Sequence, residues 1–129
     1  MQPRRAEIER ALEVIMALGG EKVKFVILYG STSREEARQG SDIDICVYYD
    51  DLGGAMEFRL QVASELFEKI YDIKIFQHLP LPLRMEVLKG KVLNCSDLPF
   101  MYDLAYQTVK EFDSFKHRYY DYIGLEAIR

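Results

Sequence analysis

Three aspartates, a glycine and a serine are the residues of this 129-residue chain whose types and spacing suit chemistry. Asp42 and Asp44 are separated by one residue at the head of an apolar run, and Asp72 stands in a second run, YDIKIF, at 71–76. Side chains alternate with period two along a strand, so Asp42 and Asp44 leave one face while Ile43, Ile45 and Val47 enter the core from the other. Adjacent carboxylates repel unless a cation lies between them, and their oxygens suit Mg²⁺ or Mn²⁺. The plainer alternative is a solvated strand face carrying two surface acids, against which stands the depletion of Asp from strands. The same alternation at 71–76 puts Asp72, Lys74 and Phe76 on one face and Ile73 and Ile75 on the other. If the two strands are neighbours, Asp72 joins the pair. Three carboxylates can hold two divalent ions, which clamp the attacking and leaving oxygens of an in-line displacement. The third acid can also take a proton from an attacking hydroxyl.

Gly30 and Ser31 follow a short apolar run and precede a helix start. Glycine admits close approach of a ligand to the backbone. A serine hydroxyl and the first amides of a helix are donors for an anion such as phosphate. A simple strand-to-helix turn is the bland reading of the same two residues. Arg34 and Arg38 share a helix face at four-residue spacing and are in reach of phosphate or of nearby acids such as Glu35. Lys74 is read as a strand-face charge balancing the acids. His78 and His117 show no ligand spacing and are read as surface or structural residues.

The elements that must position these groups follow from periodicity. Residues 4–18 predict a helix with Ile8, Leu12, Ile15 and Met16 inward, ended by Gly19 and Gly20. Residues 22–29 (KVKFVILY) predict a buried strand. Ser33 and Glu36 have capping-box spacing for a short helix over 34–39, closed by Gly40. A second strand spans 43–49. A helix over 55–70 follows, with Met56, Leu60, Ala63, Phe67 and Ile70 on its inner side. The third strand is 71–76, then a short helix at 83–89 and a short edge strand at 91–94. Asp97 caps a final helix over 98–123, with Pro99 in its first turn. Its inner stripe is Met101, Ala105, Thr108, Phe112, Phe115, Tyr119 and Tyr122. Tyr102, Tyr106 and Tyr120 lie outside it and suit a protein interface, where tyrosine is enriched. This order predicts one α/β (α+β) domain over residues 1–129, without repeat or linker.

Composition narrows the partners. A net charge of −4 and a pI near 5.2 argue against direct nucleic-acid binding, which relies on excess Lys and Arg. An acidic chain can still hold a triphosphate when divalent ions supply the positive charge. No stretch approaches the length of a membrane span, and the N-terminus lacks a signal-peptide apolar region, so a cytoplasmic protein is expected. Cys46 and Cys95 lack metal-site spacing. Cys46 is expected to be a small buried hydrophobe with a reduced thiol, a disulfide between the two being the alternative.

Residues 30–47 read GSTSREEARQGSDIDICV. This resembles the signature GSRARGxARxxSDIDLxV of the polymerase β-like nucleotidyltransferases, and the layout and length resemble their minimal nucleotidyltransferase (MNT) group. Gly30, Ser31, Arg34, Ala37, Arg38, Ser41, Asp42, Ile43 and Asp44 match; Thr32, Ser33 and Glu35 depart from the usual Arg, Ala and Gly. The strand with Asp72 resembles the family's third-acid strand. The stretch LPLRMEVLKGKVLNCSD and the aromatic last helix ending FKHRYYDYI also resemble MNT proteins, so the likeness covers nearly the whole chain. It implies a polymerase β-like nucleotidyltransferase fold, a small mixed sheet flanked by helices. It implies Asp42, Asp44 and Asp72 as catalytic residues and ligands of two Mg²⁺ ions, with ATP as substrate held by Gly30, Ser31 and Arg34. It further implies an antitoxin that transfers AMP to a tyrosine of a partner HEPN toxin. A stoichiometric binding antitoxin and nucleotidyl transfer to a small molecule are the alternatives, and homo-oligomers remain compatible with the sequence.

Overall fold

The computed structural model describes residues 4–30, 42–67 and 70–123. In chain order the elements are α1 (Arg5–Gly19), β1 (Val23–Tyr29), β2 (Ile43–Tyr49), α2 (Ala55–Leu66), β3 (Tyr71–Ile75), α3 (Leu81–Leu88), β4 (Lys91–Cys95) and α4 (Leu98–Ile123). The short helix expected over 34–39 lies outside the described residues.

The four strands form one mixed sheet in the order β3-β2-β1-β4. β1 is antiparallel to β2 and to β4, whereas β2 and β3 are parallel, joined by the crossover through α2. This is the α+β arrangement expected from the sequence. Parallel neighbours need a connection of a dozen or more residues, usually a helix, and α2 supplies it.

Both faces of the sheet are covered. On one, Ile8, Ala11 and Ile15 of α1 and Ala55, Phe58, Val62 and Leu66 of α2 pack on Val26, Leu28, Ile43, Ile45, Val47, Ile73 and Ile75. On the other, Phe25, Ile27, Tyr29, Cys46 and Phe76 pack beneath Val87 of α3 and Met101 of α4. A strand buried on both faces reads as a continuous apolar run rather than an alternating one, which is why β1 is FVILY at its centre. Both cysteines are free, Cys46 being fully buried as expected.

Two expected helix faces are corrected. In α2 the stripe Met56–Leu60–Ala63–Phe67 does not enter the core: Met56 is 48%, Leu60 60% and Phe67 83% exposed. The core face is Ala55–Phe58–Val62–Leu66. The helix carries two apolar stripes at helical spacing, and the one that wins lets Phe58 stack on Tyr49, with ring centroids 4.1 Å apart and planes 7° from parallel. α2 also ends at Leu66, because Phe67 turns to φ 27° and breaks the helical path before residue 70.

In α4 the expected inner stripe holds for Met101 and Thr108, both buried, while Phe115 is exposed. The reason is length: 26 residues make a helix of about 39 Å, longer than the strands below it. Tyr119, Tyr120 and Tyr122 have side chains outside the described residues. At the helix start Asp97 does cap, its Oδ1 accepting from the Phe100 amide at 3.1 Å. β3 ends one residue early, and Phe76 opens a single 3₁₀ turn that carries its ring under the sheet. Among the described residues no helix is long and apolar enough to cross a membrane.

The two stripes of α2 make opposite predictions. Phe58→Ala lowers unfolding free energy by about 3–5 kcal/mol, whereas Leu60→Ala shifts it by no more than about 0.5 kcal/mol. Urea titrations of the two variants check this, and equal losses would contradict the observed face.

Candidate active site

The site is built across three strands at one level of the sheet. Tyr29, the last residue of β1, is the register partner of Asp44 in β2, and Asp44 is the register partner of Asp72 in β3. Matched positions in a parallel pair point to the same face, so Asp44 and Asp72 stand side by side. That face is the one carrying Cys46 and Phe76, opposite the α1/α2 core, as the alternation of β2 and β3 requires. Asp42 is exposed, one residue ahead of β2.

Gly30 follows Tyr29 with φ +75°, in the left-handed region that glycine takes without strain. A Cβ at this position would lie 2.6 Å from Asp44 Oδ2. The glycine is therefore required twice, by its dihedral and by the carboxylate that occupies the space a side chain would fill. It brings bare backbone against Asp44, which is the close approach a phosphate site needs. Ser31 and Arg34, the other two residues expected at that site, lie outside the described residues, as does Arg38.

Charge at the site is unbalanced. Burial, the neighbouring carboxylate of Asp72 and then that of Asp42 raise the pKa of Asp44, with Lys74 opposing them. A hydrogen bond between the carboxyls of Asp44 and Asp72 acts in the same direction, so Asp44 holds a proton more readily than an isolated acid. Lys74 lies 3.3 Å from both oxygens of Asp72. Both side chains are about one-third exposed, so this pair contributes little to stability. It is the strand-face balance that the sequence suggests for Lys74. Asp42 acts on Asp44 through its charge, but the three acids do not converge: among the described residues, no group of three or more His, Cys, Asp and Glu is placed to hold a metal ion. Like charges with nothing between them keep apart.

The donor set nonetheless fits a hard divalent cation. Asp44 and Asp72 stand side by side, burial and its neighbouring carboxylates raise the proton affinity of Asp44, and Asp42 adds a third, exposed carboxylate one residue ahead of β2. One residue that sequence reasoning missed belongs here. Tyr29 is buried, and its hydroxyl has no hydrogen-bond partner among the described residues. Burial, then Asp44, Cys46 and Asp72, push its pKa up, so it stays a neutral donor next to the acids. An orphaned buried hydroxyl is costly and marks a polar group awaiting a partner. The signal for it was present, since Tyr29 directly precedes Gly30, but an aromatic at a strand end reads as core. His78 is exposed on the turn after β3 and His117 on α4, in line with the surface reading of both. Burial pushes the Cys46 thiol up, so it is chemically quiet.

Comparison with known proteins places this geometry. The family model described as polymerase beta, nucleotidyltransferase matches residues 13–98, which contain all of β1, β2 and β3. A Methanocaldococcus jannaschii protein named "Putative protein adenylyltransferase" is 43% identical over 69 residues, covering 54% of this chain and 52% of that protein. The chain thus matches about half the length of that curated relative. A chain in a crystal structure of a toxin–antitoxin with AMP-PNP superposes with a TM-score of 0.71 at 20% identity, covering 94% of this chain and 98% of that one. A chain in the structure of a tri-AMPylated Shewanella oneidensis HEPN toxin in complex with MNT antitoxin superposes with a TM-score of 0.68 at 19% identity over the full length of both. At such identities the likeness to the solved structures is one of fold.

The raised pKa of Asp44 has a stability consequence. Between the ordinary value of 3.8 and its folded value, the native state holds more protons than the unfolded chain. Stability without divalent ions therefore falls as pH rises through that window and stays lower above it. Asp44→Asn removes this repulsion. The variant should melt at a higher temperature than the parent at pH 7 in chelator, with the gap closing towards pH 4. A lower melting temperature at pH 7 would contradict the account.

Proposed function

We propose that this chain, which belongs to the polymerase β nucleotidyltransferase family, transfers AMP from ATP to a protein hydroxyl, a tyrosine of a HEPN-domain toxin, and so acts as an antitoxin. The observation that carries this reading is the register pair Asp44–Asp72 on one sheet face beside the bare backbone of Gly30. The M. jannaschii relative's name supports adenylyl transfer to protein. The AMP-PNP complex and the AMPylated HEPN toxin among proteins of this fold support the nucleotide and the partner.

In this reading Asp42, Asp44 and Asp72 are the residues that hold Mg²⁺, two ions in the full site. Bound there, the ions neutralise charge on the triphosphate. Gly30 lets the phosphates approach the backbone, with Ser31 and Arg34 as further proposed phosphate contacts. The acceptor oxygen bonds to the α-phosphorus. The bond from that phosphorus to the bridging oxygen breaks, and pyrophosphate leaves with the electron pair. The acceptor's proton passes to the carboxylate of Asp72, the most outlying of the acids on the edge strand. Tyr29, a neutral donor whose buried hydroxyl lacks a partner among the described residues, lies beside Asp44 and is placed to donate to a group bound there. Catalysis is mainly positioning and charge neutralisation, as for phosphoryl transfers generally.

Partner contact is assigned to α4, where Tyr102 and Tyr106 are 63% and 62% exposed, with Leu98 and Val109 exposed beside them. That stripe also favours a second reading, an antitoxin that neutralises its toxin by binding alone.

Labelled ATP with Mg²⁺ and the HEPN partner separates the two. Label should appear on the partner and fall by at least about a hundredfold in the Asp42→Asn, Asp44→Asn double variant, with complex formation retained. Undiminished labelling would sink the assignment of the acids. A double variant that still protects cells from the toxin would favour the binding antitoxin.

A further inference from the structure

Beyond Asp72 the sheet ends, and there a groove of mixed lining, with Arg59 and Asp72 beside apolar side chains, opens between the outer side of α2 and the edge of β3. Its volume is about 350 Å³, and Leu60, Ala63, Phe67, Tyr71 and Asp72 are among its lining residues. It lies at the low end of the roughly 300–1,000 Å³ of ligand pockets, enough for a single ring rather than a large acceptor molecule. Phe67 is the unusual residue. Its φ of 27° is a conformation that bulky side chains rarely adopt, and its ring is 83% exposed. Further along the same edge, Arg59, Lys74 and His78 flank a smaller depression of about 180 Å³ that shares Arg59 with the first. The edge thus passes from a mixed lining with the ring of Phe67 at one end to a stretch with Arg59, Lys74 and His78 at the other, in a chain whose net charge is −4.

Strand order gives the groove a direction. Gly30, Asp44 and Asp72 succeed one another from β1 through β2 to β3, and the groove comes next. In-line displacement requires the attacking oxygen to arrive opposite the departing pyrophosphate. If the phosphates leave towards Gly30, the acceptor arrives from the β3 edge.

Resting on the adenylyl-transfer reading above, we propose that this groove is the acceptor subsite: it seats the ring of a protein tyrosine on Phe67 and Leu60, with the phenolic oxygen beside Asp72. The segment that carries the tyrosine follows the β3 edge, and its acidic residues meet Arg59, Lys74 and His78. Phe67 and Leu60 are then specificity residues for an aromatic acceptor. This also gives a role to Leu60, Ala63 and Phe67, the part of the outer α2 stripe that lines the groove.

The test is the combined Phe67→Ala, Leu60→Ala variant, assayed against the HEPN-domain protein that the parent chain labels. Binding of AMP-PNP with Mg²⁺ and thermal unfolding are followed alongside. The KM for the acceptor should rise about tenfold or more, while AMP-PNP affinity stays within about twofold and the unfolding midpoint is unchanged. An unchanged acceptor KM overturns the subsite and leaves the transfer reading standing. Weakened AMP-PNP binding with an unchanged acceptor KM gives the groove to the nucleotide base and also overturns it. A parent chain that labels no protein removes the transfer reading and the subsite with it.

Discussion

The rest of the structure depends on two carboxylates held at matched positions of a parallel strand pair. Asp44 and Asp72 repel each other, and burial sharpens the repulsion. No local preference would bring them together, so the fold has to impose it. It does so through the α2 crossover, which sets β3 beside β2, and through Ile45 and Ile73, which lock the register from the other face. A slip of one residue would turn an aspartate into the α1/α2 core and an isoleucine into the site. The hydrophobic pattern that stabilises the sheet is therefore also what holds the acids in place.

Around that pair, each neighbour answers the same electrostatic need. Lys74 supplies partial compensation from within β3. Tyr29 places a neutral donor under the acids, and Gly30 keeps a side chain out of the space that Asp44 occupies. The residual imbalance is what a divalent cation and a triphosphate would relieve together. The sheet order then turns this local requirement into a direction, from Gly30 at the end of β1, through the acids of β2 and β3, to an open edge beyond. Edge strands are usually protected; here Arg59 covers part of the edge by donating to the Ile73 carbonyl at 2.7 Å.

Much of this was legible in the sequence. Period-two alternation placed Asp44 and Asp72 on one face and their isoleucine neighbours on the other, because strand side chains have no other choice. The strong apolar run of β1, the capped start of α4 and the edge strand β4 were legible for similar local reasons. Pairing order was not, since nothing in a single strand names its neighbour. The inner face of α2 was misread because Met56, Leu60 and Phe67 and the buried Phe58, Val62 and Leu66 have the same spacing. Only the stacking partner Tyr49, in another element, decides between them. Phe115 was misplaced because the length of the layer beneath α4 is a tertiary quantity. Tyr29 was passed over because its ring satisfies the core while its hydroxyl alone belongs to the site.

The most direct test of the central claim is a crystal structure with Mn²⁺ and AMP-PNP, using anomalous scattering to locate the ion. The account predicts Mn²⁺ on the carboxylates of Asp42 and Asp44 with Asp72 in reach, and the phosphates against Gly30. Mn²⁺ bound elsewhere, or AMP-PNP bound with these three acids still apart and without metal, would contradict it.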